Sequence, residues 1–236
     1  MIGKGRLLAI IPARGGSKRL LGKNILELAG KPLIAWSIEA GTQSKYVDRV
    51  VVSTDDESIA KVAREYGADI PFMRPEELSC DESTTIDTLR HTLNELSEKG
   101  EEYEYLILLQ PTSPLRTNEH IDEAVEQLLQ KNADSIIGVT ELDHPIEWTN
   151  TLPKNLAMDE FLSKDIENMR SQDFPMRYRV NGAIYLLRID VLLRSNTLFF
   201  AKNSYAYVFD KTESIDIDDI NDFLIAKTLF KHRAST

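Results

Sequence analysis

The chain has 236 residues, 42% of them hydrophobic, and its 38 acidic and 28 basic residues give a formal net charge of -10. This length and apolar content suffice for one sizeable core, so we expect a single domain. The acidic surface as a whole repels polyanions, which disfavours nucleic acid and anionic membranes as partners. The one cysteine, Cys80, excludes an intrachain disulfide.

The N-terminal segment does not have the pattern of a signal peptide. Lys4 and Arg6 precede the run LLAII, but this run is shorter than the roughly 7 to 15 apolar residues of a signal-peptide core. No apolar run approaches the roughly 20 residues of a membrane helix. We therefore expect a cytoplasmic protein that makes no membrane contact.

Short apolar runs alternate with helical patterns along the chain. In order, the predicted strands are LLAII (7–11), VVVS (50–53), YLILL (105–109), DSIIGV (134–139) and GAIYLL (182–187). The predicted helices cover 32–44, 57–67, 84–100 and 119–132, and a further helix begins near Ile220. This order predicts an α/β fold with a single doubly wound, mostly parallel sheet, whose ligands collect at the carboxyl ends of the strands.

The stretch 141–178 interrupts this alternation. It contains three prolines and shows no clear period, and it is too long for an ordinary connection inside a compact domain. A disordered loop is the alternative, but the stretch carries more large apolar side chains than such loops usually do. We predict an arm or flap inserted into the domain.

The segment IIPARGGSKRLLGKN (10–24) places Arg14, Lys18, Arg19 and Lys23 directly after the first predicted strand. Adjacent glycines let successive backbone N–H groups converge on an anion. The spacing matches neither the dinucleotide-binding G-x-G-x-x-G motif nor the Walker A loop. Four cations suit a nucleoside triphosphate better than a single phosphate. A solvated basic turn is the alternative.

A second charged motif, SIDIDD (214–219), lies near the other end of the chain. In an extended segment alternate side chains share a face, so Asp216 and Asp218 point the same way. Two carboxylates beside a polyphosphate predict a Mg²⁺ site. The alternative is that Asp218 and Asp219 cap the helix that follows, and Asp218 is compatible with both roles.

Six stretches, in this order, resemble the CMP-nonulosonate synthetases, the acylneuraminate cytidylyltransferase family: IIPARGGSKRLLGKN, VVVSTDD, MRPEEL, LLQPTSPLR, RVNGAIY and SIDID. The resemblance implies a Rossmann-like nucleotide-diphospho-sugar transferase fold. It further implies one cytidylyltransferase domain over 1–236, with 141–178 as a dimerisation and substrate arm, and a homodimer. Glu147 stands where some members carry a basic residue, and Ser171 interrupts a second basic position. The Lys and Arg contacts that the arm makes in those members are therefore not assigned to this chain.

The activity that the resemblance implies is Mg²⁺-dependent transfer of CMP from CTP to the anomeric hydroxyl of a nine-carbon 2-keto sugar acid, N-acetylneuraminate or legionaminate. Pyrophosphate leaves, and the base that takes the hydroxyl proton is left open. The alternatives are a cytidylyltransferase for another sugar acid, such as pseudaminate or Kdo, and a nucleotide-binding protein without turnover.

The resemblance also implies roles for single residues. Catalytic roles fall to Arg14, Lys23, Asp216 and Asp218, the two aspartates being the metal ligands. The nucleotide-binding residues are Arg14, Gly15, Lys23, Asn24, Arg74 and Thr85. The sugar-binding residues are Gln110, Arg179 and Asn181.

Four of these positions also have purely structural interpretations. These are a surface turn for Arg74, a helix N-terminal hydroxyl for Thr85, a strand-end polar residue for Gln110 and a turn former for Asn181. Asp55 and Asp56 are expected to cap the helix that follows them rather than to join the site.

Overall fold

The computed structural model describes residues 5–80 and 82–233, so that Lys4 of the N-terminal basic pair lies outside the described residues. The strands are β1 (Leu7–Pro12), β2 (Glu27–Leu28), β3 (Lys31–Pro32), β4 (Arg49–Ser53), β5 (Tyr105–Leu108), β6 (Ser135–Glu141), β7 (Tyr178–Arg188) and β8 (Ser204–Phe209). The α-helices are α1 (Leu33–Gln43), α2 (Glu57–Glu65), α3 (Thr85–Ser97), α4 (Asn118–Lys131), α5 (Ile189–Ser195) and α6 (Ile220–Arg233).

Six strands form one sheet in the order β4-β1-β5-β7-β6-β8. The pairs β1–β4, β1–β5 and β6–β8 are parallel, whereas β7 runs antiparallel to both of its neighbours. The predicted mostly parallel sheet is therefore confirmed, with β7 as the exception. The short strands β2 and β3 form a separate antiparallel pair after the basic loop.

Helices cover both faces of the sheet because the central strands are apolar on both sides. In β1, Leu7, Ala9 and Ile11 pack in a cluster with α1, α2 and α4. Leu8 and Ile10 point the other way and pack with α3 and α5. These five side chains are 0% exposed, and each large one contributes about 1.5 to 3 kcal/mol through burial.

A third apolar cluster fixes the position of the C-terminal helix. Phe223 and Ala226 of α6 pack against Leu28, Leu33 and Ile217. Ile217 lies in the extended segment between the two aspartates of the second charged motif. Packing of α6 therefore places this motif beside the carboxyl end of the sheet.

The predicted arm is an excursion of irregular backbone between β6 and β7. Its local helical structure consists of two short 3-10 turns, Ile146–Trp148 and Ser171–Asp173. Trp148 and Phe174 meet edge to face with ring centroids 5.7 Å apart, and Glu147 pairs with Arg177. A role of this segment in dimerisation stays a prediction. No helix among the described residues is long and apolar enough to cross a membrane.

Candidate active site

The basic loop leaves β1 at the carboxyl edge of the sheet and passes close to α2. The backbone N–H of Gly15 donates to Asp55 Oδ1 at 3.1 Å. A Cβ atom at Gly15 would lie 2.7 Å from Asp56 Oδ2, so glycine allows this close approach. Asp56 is the N-cap of α2 and accepts from the N–H groups of Ser58 and Ile59. The capping prediction is thus confirmed for Asp56, whereas Asp55 holds the basic loop.

The loop and the second charged motif line one cavity of about 510 Å³. The predicted site residues in its wall are Arg14, Lys23, Asn24, Gln110, Asp216 and Asp218. Residues about 200 positions apart in the chain therefore meet at the carboxyl ends of β1 and β5. This is where ligands of doubly wound sheets bind.

Asp218 lies among the cations of the loop. Its Oδ2 is 3.2 Å from Arg19 Nη1, and its Oδ1 is 3.6 Å from Lys23 Nζ. Lys23 also donates to the backbone carbonyl of Ile217 at 2.7 Å. The lysine ammonium is thus held against the aspartate segment by Asp218 and the Ile217 carbonyl. Asn24 is buried and donates from Nδ2 to the Arg14 carbonyl at 3.0 Å, which closes the loop on itself.

Asp216 is the more buried of the two aspartates. Burial raises the pKa of its carboxyl group, and nearby Asp218 acts in the same direction, while a Thr112 hydrogen bond and the charges of Lys23 and Arg179 lower it. Its Oδ1 is buried and has no hydrogen-bond partner among the described residues. A buried carboxylate oxygen without a donor fits a cation ligand.

Mg²⁺ typically takes one or two carboxylates from a protein when substrate phosphates complete its shell. Among the described residues no group of three or more His, Cys, Asp or Glu side chains forms a metal cluster. A pair of carboxylates such as Asp216 and Asp218 fits a cation that a bound phosphate also coordinates.

Capping of α6 is carried out by neighbours of Asp218. Asp219 Oδ1 accepts from the N–H groups of Asn221 at 2.7 Å and of Asp222 at 3.2 Å. Asp222 Oδ2 accepts from the N–H groups of Asp218 and Asp219. The Asp218 carboxylate pairs instead with Arg19 and Lys23 and lines the cavity. The structure thus gives capping to Asp219 and Asp222, and the metal role of Asp218 stays a prediction.

A second cavity of about 260 Å³ adjoins the first, and Arg14 lines both. Arg74 and Thr85 lie in its wall. Arg74 is only 7% exposed and donates to the carbonyl of Ser53 and, at 3.5 Å, to Thr88 Oγ1. The surface-turn interpretation of Arg74 is therefore wrong. Burial lowers the pKa of its guanidinium; Asp55 opposes this effect and Arg14 adds to it.

Thr85 is the first residue of α3, where Thr84 and Asp87 form a capping box. It thus has the predicted place of a helix N-terminal hydroxyl and also faces the second cavity. Its two interpretations are compatible, and contact with the nucleotide stays a prediction.

The three predicted sugar-binding residues differ in their surroundings. Gln110 lines the first cavity. Its Oε1 lies 2.6 Å from the position that a Cβ on Gly182 would occupy, and Gly182 has a φ of +78°. Arg179 is exposed and donates to the Ser214 carbonyl at 3.5 Å. Asn181 is 2% exposed; it donates to Ser214 Oγ and accepts from the Ala183 N–H, both at 3.1 Å. This geometry makes Asn181 an anchor for the aspartate segment, and its contact with the sugar stays a prediction.

Thr112 is a site residue that sequence reasoning missed. It lines the first cavity, and its carbonyl accepts from the Ile217 N–H at 2.8 Å. The available signal was its place in QPTSP, directly after a predicted strand whose carboxyl end belongs to the site.

A family model described as Cytidylyltransferase matches residues 8–232. An N-acylneuraminate cytidylyltransferase of Escherichia coli O18:K1:H7 is 38% identical, over 95% of this chain and 52% of the relative. A pseudaminic acid cytidylyltransferase of Campylobacter jejuni is 36% identical, over 95% of this chain and 96% of the relative. A CMP-N,N'-diacetyllegionaminic acid synthase of Legionella pneumophila is 37% identical, over 96% and 97%. The chain thus spans about half the length of the first relative and nearly all of the other two.

The fold of this chain resembles the folds of solved structures. A CMP:2-keto-3-deoxy-manno-octonic acid synthetase complexed with CTP matches with a TM-score of 0.70 and 19% identity, over 97% of this chain and 99% of the other. A 4-diphosphocytidyl-2C-methyl-D-erythritol synthase of Anaerococcus prevotii matches with a TM-score of 0.64 and 13% identity, over 96% and 99%. At these identities the likeness concerns the fold.

Proposed function

The chain belongs to the cytidylyltransferase family, and on this premise we propose that it transfers CMP from CTP to the anomeric hydroxyl of a nine-carbon 2-keto sugar acid. The observation that carries the proposal is the cavity in which the basic loop meets Asp216 and Asp218. One wall supplies cations for a triphosphate, and the other supplies hard oxygen ligands for a divalent cation.

In the proposed reaction the sugar hydroxyl attacks the α-phosphorus in line. The new bond joins the anomeric oxygen to the α-phosphorus, and the bond between this phosphorus and the α,β-bridging oxygen breaks, so that pyrophosphate leaves. The anomeric O–H bond also breaks, and its proton passes to a base that the proposal leaves unassigned. Arg14 and Lys23 neutralise the charge that develops on the leaving group. Because Lys23 already donates to the Ile217 carbonyl, its ammonium is oriented before substrate binds, and little reorganisation is needed.

Asp216 and Asp218 are the residues that would hold Mg²⁺. When bound, this ion supplies Lewis-acid chemistry: it polarises the α-phosphate and lowers the pKa of the attacking hydroxyl. Arg179, exposed at the edge of the aspartate segment, provides a cation for the carboxylate of the sugar acid, and Gln110 provides hydrogen bonds to its polar groups. Arg14, Arg74 and Thr85 would receive the nucleotide, with Gly15 and Asn24 shaping the loop around the phosphates.

We propose N-acetylneuraminate or legionaminate as the sugar. The relatives named for sialic, pseudaminic and legionaminic acid differ by only two percentage points of identity to this chain, so overall similarity does not rank the three. The proposal rests on the NGAIY stretch, which resembles the enzymes for sialic and legionaminic acids. A homodimer, formed through the arm, completes the proposal.

The test is pyrophosphate release from CTP and Mg²⁺, with N-acetylneuraminate, legionaminate, pseudaminate and Kdo supplied in parallel. Release with one of the first two, ranked by kcat/KM, is the expected result, and ATP or GTP in place of CTP should give little. Dominant turnover of pseudaminate or Kdo would contradict the sugar assignment. CTP binding without release with any acid would indicate a nucleotide-binding protein without turnover.

A further inference from the structure

Arg116 is a buried cation close to the proposed active site but outside its cavity walls. Its side chain lies within the fold at 2% exposure. Nη1 donates to the backbone carbonyls of Gln110, Ser113 and Ala183, each at 3.4 Å. Nε and Nη2 have no hydrogen-bond partner among the described residues. Burial lowers the pKa of Arg116 to about 9. Burying a charge without an acid opposes folding, so stability alone does not explain an arginine here.

The three carbonyls belong to the structures that form one side of the active site. Gln110 and Ser113 lie in the turn after β5, and Ala183 lies in the antiparallel strand β7 beside it. The same turn contains Thr112, whose carbonyl accepts from the Ile217 N–H at 2.8 Å. Ile217 is flanked by the two predicted metal ligands. The turn 110–113 is therefore hydrogen-bonded to Arg116 through Gln110 and Ser113 and to the aspartate segment through Thr112.

We infer that Arg116 is a positioning residue, which holds the turn 110–113 against β7 and thereby sets the place of Gln110 and of the aspartate segment. The inference rests on the proposed function of the cavity but concerns a contact that exists without substrate. Arg116 acts through Thr112 and Ile217 and does not touch the reacting atoms.

Loss of Arg116 should loosen the turn without unfolding the chain. The Gln110 carbonyl also accepts from Ser37 Oγ at 3.2 Å and from the Ser113 N–H at 3.3 Å, so it keeps partners. An apolar side chain of similar length can fill the space, and replacement of buried charges by apolar residues is often neutral for stability. Arg116→Met is therefore the variant of choice, and Arg116→Lys keeps the cation with fewer donors.

The experiment compares hydrogen exchange of the Ile217 amide, Mg²⁺ activation and turnover in the wild type and both variants. For Arg116→Met we expect exchange at Ile217 to accelerate about tenfold relative to β1 amides. We also expect the Mg²⁺ concentration for half-maximal rate to rise at least about fivefold and kcat to fall about tenfold or more. Arg116→Lys should show intermediate values for all three.

Arg49→Met is the matched control. Arg49 is a partly buried arginine at the start of β4, paired with Asp69 and Glu101 far from the cavity. This variant should lower Tm while Ile217 exchange relative to β1 and the Mg²⁺ requirement stay at wild-type values.

If Arg116→Met folds and exchange at Ile217 relative to β1 is unchanged, the inference is overturned. It is also overturned if turnover falls only in proportion to the decrease in Tm. If Arg116→Met does not fold, Arg116→Lys decides by the same exchange ratio. A wild type that releases no pyrophosphate would refute the proposed function, while the exchange readout would still test Arg116.

Discussion

The carboxyl group of Asp216 has an unfavourable environment until a cation is present. Its pKa is raised chiefly by burial, so its ionised form opposes folding at neutral pH, and this effect disappears as the pH falls through the raised pKa. Asp216→Asn removes the charge at nearly constant volume. Without divalent cations we expect its Tm to equal or exceed that of the wild type, while turnover falls by about three orders of magnitude or more. Thermal melts in EDTA check the predicted Tm, and pyrophosphate release at saturating Mg²⁺ checks the predicted loss of turnover.

Asp219→Ala is the matched control for this variant. Asp219 caps α6 and does not appear in the wall of the first cavity, so its loss should lower the free energy of unfolding by about 1 kcal/mol. Its kcat should stay near the wild-type value. Urea denaturation measures the loss of stability, and pyrophosphate release measures kcat. Turnover of Asp216→Asn within tenfold of the wild type would refute the metal assignment.

Among the elements, the basic loop depends on one of its two adjacent glycines. Neither glycine has a positive φ, but a Cβ on Gly15 would lie 2.7 Å from Asp56 Oδ2, whereas a Cβ on Gly16 would meet nothing within 4 Å. Gly15→Ala must displace the cap of α2 and should destabilise the protein by about 1 to 2 kcal/mol. Gly16→Ala should be neutral or should stabilise the protein by up to about 1 kcal/mol, because alanine lowers the conformational entropy of the unfolded chain.

Urea denaturation of the two alanine variants, side by side, measures this difference. Equal stability of both would show that the loop accommodates a side chain at Gly15 and that the Asp56 contact does not constrain it. Substrate affinity is not the readout here, because both glycines adjoin the proposed phosphate site.

Sequence patterns predicted the elements that are buried on both faces. The run 7–11 is β1, and 105–109 is β5, because continuous apolar runs are typical of central strands. Strand β8 was missed, since it lies at the sheet edge with Tyr205 and Val208 exposed and so lacks that signal. The direction of β7 was also beyond prediction, because an apolar run carries no information about strand direction.

The site was predictable where charge type and spacing limit the chemistry. The basic loop and the paired aspartates at 216 and 218 were assigned from pattern alone, and the structure brings them together. Arg116 was not predicted, because its role depends on joining two carbonyls of the turn 110–113 to the Ala183 carbonyl in β7, which is distant in the chain. No local pattern records such contacts.

At the scale of the whole molecule, the arm leaves a group of apolar side chains in solvent. Leu152, Leu156, Met158 and Met176 are each more than half exposed, and a second chain that covered them would remove this apolar surface from water. We expect the chain of 26.8 kDa to have nearly twice this mass by light scattering at micromolar concentration. The double variant Leu156→Glu/Met158→Glu should be monomeric, because association would bury its new charges.

Leu224→Glu is the control for this prediction. Leu224 is 54% exposed on α6, outside the arm, so this variant adds one carboxylate, against two in the double variant, at a similar exposure and should remain dimeric. If the arm of one chain reaches the site of its partner, the monomeric variant should also lose turnover. A wild type with a monomeric mass would refute the dimer, and dissociation by Leu224→Glu alone would move the interface to α6.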